Sequence, residues 1–158
     1  MPGSYRLNDG SHLEFSSGSS AGIEGAYFFS PHIGVGGHFS ASSTAIVWNG
    51  SAQDESLGTL AVHAGAYFSY PIVPRLLLGS KALAGYVHST QLTLDNSNIY
   101  GKRNVMGAET GISLTFRART NLGIKLHADY NIMASPLESH SHAAFHCLTV
   151  GGAANITF

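Results

Sequence analysis

Apolar and polar residues alternate along residues 105–132, where the pattern of the chain is clearest. Every second residue from Ala108 to Phe116 belongs to one largely apolar set, and the opposite set includes the charged Glu109 and Arg117. The alternation restarts after a short polar segment, with the apolar residues Leu122, Ile124, Leu126, Ala128, Tyr130 and Ile132. Because successive side chains of a strand point to opposite faces, this period of two predicts two β-strands in an antiparallel hairpin.

The same alternation recurs along the whole chain and predicts an all-β fold of long antiparallel strands. We predict seven strands, at about 11–29, 33–48, 57–70, 75–89, 104–118, 121–134 and 147–158. Short turns near residues 30–32, 71–74 and 119–121 alternate with long polar loops at about 49–56, 90–104 and 133–146. Outer-membrane barrels have this asymmetry, with short periplasmic turns and longer extracellular loops.

Aromatic residues gather at the short-turn ends of the predicted strands. They are Tyr27, Phe29, Phe68, Tyr70, Phe116 and the terminal Phe158. An aromatic girdle at a membrane interface has this distribution.

Six charged residues fall within the predicted strands, all on the less apolar face. They are Glu24, Lys81, Glu109, Arg117, Lys125 and Asp129. A strand that crosses a bilayer turns its apolar face to lipid and its polar face inward. Backbone groups in lipid must all be paired, so we predict that the sheet closes into an up-and-down transmembrane β-barrel. The six charges should then point into the lumen and pair across strands, because unpaired buried charges are costly.

The composition fits a single domain with too few charged residues for the surface of a typical soluble protein. Of its 158 residues 11% are charged, against roughly 25% in typical soluble domains. No apolar run is long enough for a membrane-spanning helix. The net charge of −1 offers no basic surface for nucleic acid, and the lone Cys147 excludes an internal disulfide.

With these features the chain resembles the small outer-membrane β-barrel family of Gram-negative bacteria, of the OmpA/OmpX-like type. The resemblance covers residues 11–158 and rests on the alternating hairpins, the loop asymmetry and a final strand that ends in Asn-Ile-Thr-Phe. It implies localisation in the bacterial outer membrane, with the lipid bilayer and the barrel assembly machinery as partners. It also implies that Phe158 and Ile156 belong to the assembly signal of the last strand.

The start of the chain departs from this pattern. The residues after Met1 include no apolar segment of a signal peptide, and the visible strands number seven, whereas bacterial single-chain barrels have even numbers. Residues 1–10 look like the end of a first strand, Tyr5-Arg6-Leu7, followed by an Asn8-Asp9-Gly10 turn. We therefore expect an eighth strand and a signal peptide encoded upstream of Met1. Alternatively, the edges of the strands at 11–29 and 147–158 pair directly into a strained seven-stranded ring, or residues 1–8 close the gap partly.

Nine histidines raise the question of metal binding. Three share one predicted loop: His140, His142 and His146. Their spacing makes them weak candidates for Zn²⁺ or Cu²⁺ ligands, and a solvated loop is the simpler interpretation.

Three other histidines fall on the inward face: His38, His63 and His127. For these we expect hydrogen-bonded lumen residues, because a polar interior needs satisfied partners. We therefore predict no metal and no cofactor.

The predicted function is a structural or adhesive membrane scaffold that presents its loops to an extracellular ligand. An eight-stranded barrel is just filled by side chains, so bulk transport is not expected, and no catalytic motif predicts an enzyme. One alternative is a lipid-modifying outer-membrane enzyme, for which His127 with Asp129, or His88 with Ser89, comes nearest to a catalytic pair. Another is a soluble lipocalin-like barrel, which would need an apolar interior and a more charged exterior.

Overall fold

The computed structural model describes residues 4–6, 12–48, 50–89, 92–94, 97–100, 103–134 and 144–156, and every regular element in them is a strand. The ten strands are β1 (Ser4–Arg6), β2 (His12–Phe28), β3 (Ile33–Trp48), β4 (Ser51–Val73), β5 (Leu76–Ser89), β6 (Leu92–Leu94), β7 (Ser97–Tyr100), β8 (Arg103–Arg117), β9 (Leu122–Ala134) and β10 (Ala144–Ile156). The described part of the chain holds no helix long and apolar enough to cross a membrane.

Seven long strands form a nearly closed, antiparallel up-and-down barrel. Each of them pairs with its neighbour along the chain, in the order β2-β3-β4-β5-β8-β9-β10, and the three-residue β1 adds to the outer edge of β2. The strands β6 and β7 pair only with each other, as a small hairpin between β5 and β8. The predicted all-β class and its seven long strands are thus confirmed.

Side chains rather than backbone bring the two ends of the sheet together. Within the described residues no strand pairing joins β10 to β1 or β2. The Glu24 carboxylate on β2 nevertheless forms an ion pair with the Lys125 ammonium on β9, although these strands lie near opposite ends of the sheet. Such a contact requires the sheet to curl almost completely around.

All three predicted loops differ from the structure, and the one predicted at 133–146 is shorter because β9 continues to Ala134 and β10 begins at Ala144. The polar loop predicted at 49–56 is wrong, because Trp48 on β3 already pairs with Ser51 on β4 and the join is a tight turn. In this turn Gly50 has a φ of 81°, a conformation that glycine adopts without steric cost. The loop predicted at 90–104 contains the β6–β7 hairpin. The turn predicted at 71–74 is also shorter, since β4 continues to Val73.

The hairpin predicted at the start of the chain agrees with the strand pairing. The register aligns Tyr5 of β1 with Leu13 of β2 and Arg6 with His12. The predicted turn Asn8-Asp9-Gly10 lies outside the described residues.

Apolar side chains cover the outside of this barrel, and charged ones lie inside it. Among the described residues 27 large hydrophobic side chains are exposed, including Ile23 and Val150 at 75% each. The buried polar residues are His63, Lys81, Ser89, Glu109, Thr115 and Asp129. The core of a water-soluble protein has the opposite arrangement.

Candidate functional site: a charged cluster inside the barrel

The alternation of β5, β8 and β9 turns Lys81, Glu109 and Asp129 toward the lumen. Lys81 lies at the centre of this group. Its Nζ is 3.1 Å from Oδ2 of Asp129 and 3.2 Å from Oε2 of Glu24, and it also forms an ion pair with Glu109. One ammonium group therefore joins carboxylates from three other strands.

Two histidines extend the cluster to the neighbouring strands β3 and β4. Nδ1 of His38 lies 2.9 Å from each Glu109 oxygen, so its N–H can donate to that carboxylate. Nδ1 of His63 lies 3.3 Å from Oε2 of the same residue, but neither ring nitrogen of His63 makes a hydrogen bond within the described residues. The Glu109 side chain is almost fully buried. Its carboxylate thus lies beside three nitrogen atoms, which belong to His38, His63 and Lys81.

A third histidine lies on the other side of Lys81. Nδ1 of His127 is 2.7 Å from Oδ2 of Asp129, and the second oxygen of this carboxylate, Oδ1, has no hydrogen-bond partner among the described residues. Among the described residues the cluster contains three carboxylates and two ammonium groups, so with neutral histidines these groups are short of one positive charge.

Glycines on the inner face make room for these side chains. A Cβ at Gly107 would lie 3.3 Å from Nε2 of His63, and one at Gly22 would lie 2.9 Å from Nε2 of His38. At Gly111 an added Cβ would contact the Asp129 carboxylate and lie 3.0 Å from Cε of Lys81. The cluster therefore depends on the absence of side chains on the adjacent strands.

Apolar and hydroxyl side chains occupy further parts of the interior. Leu57, Leu83, Val87 and Phe145 are buried. The Tyr67 hydroxyl donates to the Gly37 carbonyl at 3.3 Å. Both charged and apolar groups thus fill the described lumen.

The structure brings together five of the six strand charges that the sequence places on one face. Those five are Glu24, Lys81, Glu109, Lys125 and Asp129. The sixth, Arg117, ends β8 and is exposed, and no acidic group among the described residues lies within ion-pair distance of it. Its backbone N–H donates to the Arg75 carbonyl at 2.8 Å in the neighbouring turn. Arg117 belongs to the rim of the barrel and not to the cluster.

Two of the three candidate loop ligands, His140 and His142, lie outside the described residues. Phe158 of the predicted assembly signal also lies outside them. His146 is on β10, exposed, with its Nδ1 2.7 Å from the Tyr130 hydroxyl and its ring stacked on the Tyr130 ring. Ile156 ends β10 with an exposed side chain.

The pairs considered for catalysis differ in geometry. Ser89 is buried whereas the His88 ring is bonded to Asn104 at 2.8 Å, so these neighbours point to different faces. His127 and Asp129 are hydrogen bonded, but within the described residues no hydroxyl group bonds to the second ring nitrogen of His127.

Sequence reasoning placed His38 and His63 on the inner face but did not connect them to Glu109. Strand parity gives the face of a residue, whereas a contact across the lumen depends on height, which is set by the register of all intervening strands. The sequence does contain one signal for these positions: Gly22 and Gly107 lie beside the rings of His38 and His63 and leave room for them.

A scan against protein-family models found no match to this chain, and searches of curated proteins and of solved structures found none either.

Proposed function

We propose that this chain is a β-barrel of the bacterial outer membrane that acts as a structural or adhesive scaffold and presents its loops outside the cell. The observation that carries the proposal is the inverted distribution of side chains: in the described part of the chain 27 large hydrophobic residues are exposed while Lys81, Glu109 and Asp129 are buried. In water such an exterior would aggregate, whereas a lipid bilayer solvates it.

The length of the strands and the position of the aromatic residues support this environment. The shortest of the seven long strands, β9 and β10, each have 13 residues, and a tilted strand needs about nine to eleven residues to cross a bilayer. The exposed aromatic residues at the short-turn end include Tyr27, Phe29, Phe68, Tyr70 and Phe116. Aromatic girdles occupy the two interfaces of membrane barrels in the same way.

The filled lumen supports a scaffold rather than a channel. The ion pairs among Glu24, Lys81 and Asp129 cross the interior, and Leu83 and Val87 are buried in it. Solute passage would have to break ion pairs in a low-dielectric site, which is costly. The connections that remain to meet a partner are therefore those between β5 and β8 and between β9 and β10.

Two alternatives are less well supported. A soluble lipocalin-like barrel needs an apolar interior, and here the interior holds a charged cluster. A lipid-modifying enzyme would use His127 with Asp129 and a nucleophile, but no described hydroxyl group bonds to His127. The scaffold therefore remains our proposal.

Depth-dependent fluorescence quenching tests the membrane environment. Trp48 is the only tryptophan, so a Trp48→Phe background allows one probe at a time, at Leu126 on the outer face of β9 or at Arg119 in a short turn. In vesicles of lipids brominated near the end of the acyl chain, we expect strong quenching of Leu126→Trp and weak quenching of Arg119→Trp. Equal, weak quenching at both positions, with a monodisperse protein in buffer without detergent, would refute the membrane assignment.

Loop exchange tests the scaffold role separately. Replacing residues 135–143 by a short Asn-Gly turn should leave folding in detergent intact and abolish capture of the extracellular ligand by the solubilised protein. Lipid hydrolysis or acyl transfer by the purified barrel, lost in His127→Gln, would instead favour the enzyme.

A further inference from the structure

Three donor residues from three strands converge on one point of the lumen. His38 of β3, His63 of β4 and Glu109 of β8 each offer one ligand atom, and these atoms all lie within 4.8 Å of one another. From this convergence we infer that the barrel holds a divalent transition-metal ion, of the Zn²⁺ class, between the two imidazoles and the carboxylate. The inference goes beyond the scaffold role and does not depend on it.

The separations of the donor atoms suit such an ion. Zinc bonds of about 2.0–2.1 Å to nitrogen and oxygen place tetrahedral ligand atoms about 3.3–3.4 Å apart. Nδ1 of His63 is 3.3 Å from Oε2 of Glu109, and Nδ1 of His38 is 2.9 Å from it. An ion can therefore enter with small movements of the side chains, and two imidazoles with one carboxylate form a ligand set known for zinc.

The state of His63 provides a second, independent observation. Its side chain is 2% exposed, and neither of its ring nitrogens has a hydrogen-bond partner among the described residues. A buried polar group without a hydrogen bond is unfavourable, and coordination of an ion would give Nδ1 a partner beyond its 3.3 Å contact with Glu109. The absence of a side chain at Gly107 leaves room for the ring at this position, since a Cβ there would lie 3.3 Å from Nε2.

The charge of the surroundings favours a cation as well. The cluster is short of one positive charge, so a bound divalent ion meets a net negative interior. Lys81 competes for Glu109, but it keeps its ion pairs with Asp129 at 3.1 Å and Glu24 at 3.2 Å when it yields this carboxylate. An ion of this kind would link β3, β4 and β8 across the lumen.

The test measures Zn²⁺ binding to the full chain, folded in detergent and purified without a histidine tag. We expect one tightly bound ion per barrel, and affinity lower by at least about tenfold in His38→Gln and in His63→Gln. The matched control replaces the other candidate ligands, as His140→Gln/His142→Gln/His146→Gln, and should retain the ion. Heat-dependent mobility on gels verifies that each variant is folded.

X-ray absorption at the zinc edge of the wild-type protein keeps the test independent of how the variants fold. The expected first shell contains two imidazoles together with oxygen ligands. Loss of the ion in the loop variant, with retention in His63→Gln, would overturn the assignment and place the site in the loop. Absence of stoichiometric binding to the wild type, or a shell with a single imidazole, would also overturn it.

Discussion

At the scale of single residues, burial distinguishes Lys81 from Arg117 although both are cations on inward-facing strand positions. The Lys81 side chain is 6% exposed and contacts three carboxylates, whereas Arg117 is exposed at the rim without a described acidic partner. A buried charge interacts strongly because little water screens it, and an exposed one contributes little. The two residues should therefore differ greatly in their effect on stability.

We expect Lys81→Met to lower the free energy of unfolding by about 3–5 kcal/mol, because it leaves Glu109 and Asp129 without their ammonium partner. Arg117→Met should change it by less than about 1 kcal/mol. Urea unfolding of both variants in the same lipid or detergent measures the difference. Similar losses in the two variants would contradict the assignment of Lys81 as the centre of the cluster.

At the scale of the strands, the alternation of the sequence predicted the fold well because a period of two directly encodes the two faces of a sheet. It failed where strands extend beyond the apolar band. Residues 51–56 are mostly polar, a composition that predicts a loop, but β4 starts at Ser51. The dipeptide Asn49-Gly50 was the available signal, since Asn-Gly strongly favours a two-residue hairpin turn.

The site could be predicted only in part. Parity placed Lys81, Glu109 and Asp129 on one face, and the structure joins them. Parity could not show that Arg117 stands apart, or that His38 and His63 meet Glu109. Those facts depend on height along the barrel axis, which follows from the stagger accumulated between β3 and β8 and has no local signature.

The packing of side chains between β8 and β9 leaves no room for a side chain at Gly111, which lies opposite Asp129 in the strand register. We expect Gly111→Ala to lower the free energy of unfolding by about 1–3 kcal/mol, because the new methyl group overpacks against Asp129 and Lys81. Gly25→Ala is the matched control, since a Cβ there meets no atom within 4 Å. It should be neutral or stabilising by about 0.5–1 kcal/mol. Equal effects of both substitutions on urea unfolding would argue against a tightly packed lumen.

At the scale of the whole molecule, the contact of Glu24 with Lys125 links strands from the two ends of the sheet where no backbone pairing is described. A double-mutant cycle of Glu24→Gln and Lys125→Met should give a coupling energy of about 0.5–1 kcal/mol, because both side chains are partly exposed. The cycle of Glu24→Gln with Arg117→Met serves as control and should be additive within about 0.5 kcal/mol. Additivity in both cycles would show that this ion pair between the two ends of the sheet does not stabilise the barrel.

The exterior of the molecule determines which solvent the barrel needs. Ile112 is 63% exposed near the middle of β8, where its neighbour Gly111 pairs with Asp129. Ile72 is 51% exposed near the turn at the end of β4. A bilayer penalises charge by depth, so Ile112→Arg should lower the free energy of unfolding in vesicles by about 2–4 kcal/mol and Ile72→Arg by about 0–1 kcal/mol. In water an arginine on an exposed apolar surface carries no such penalty at either position. Equal and small effects of the two substitutions would therefore mean that the apolar belt does not face lipid, whereas the depth-dependent loss is the result we expect.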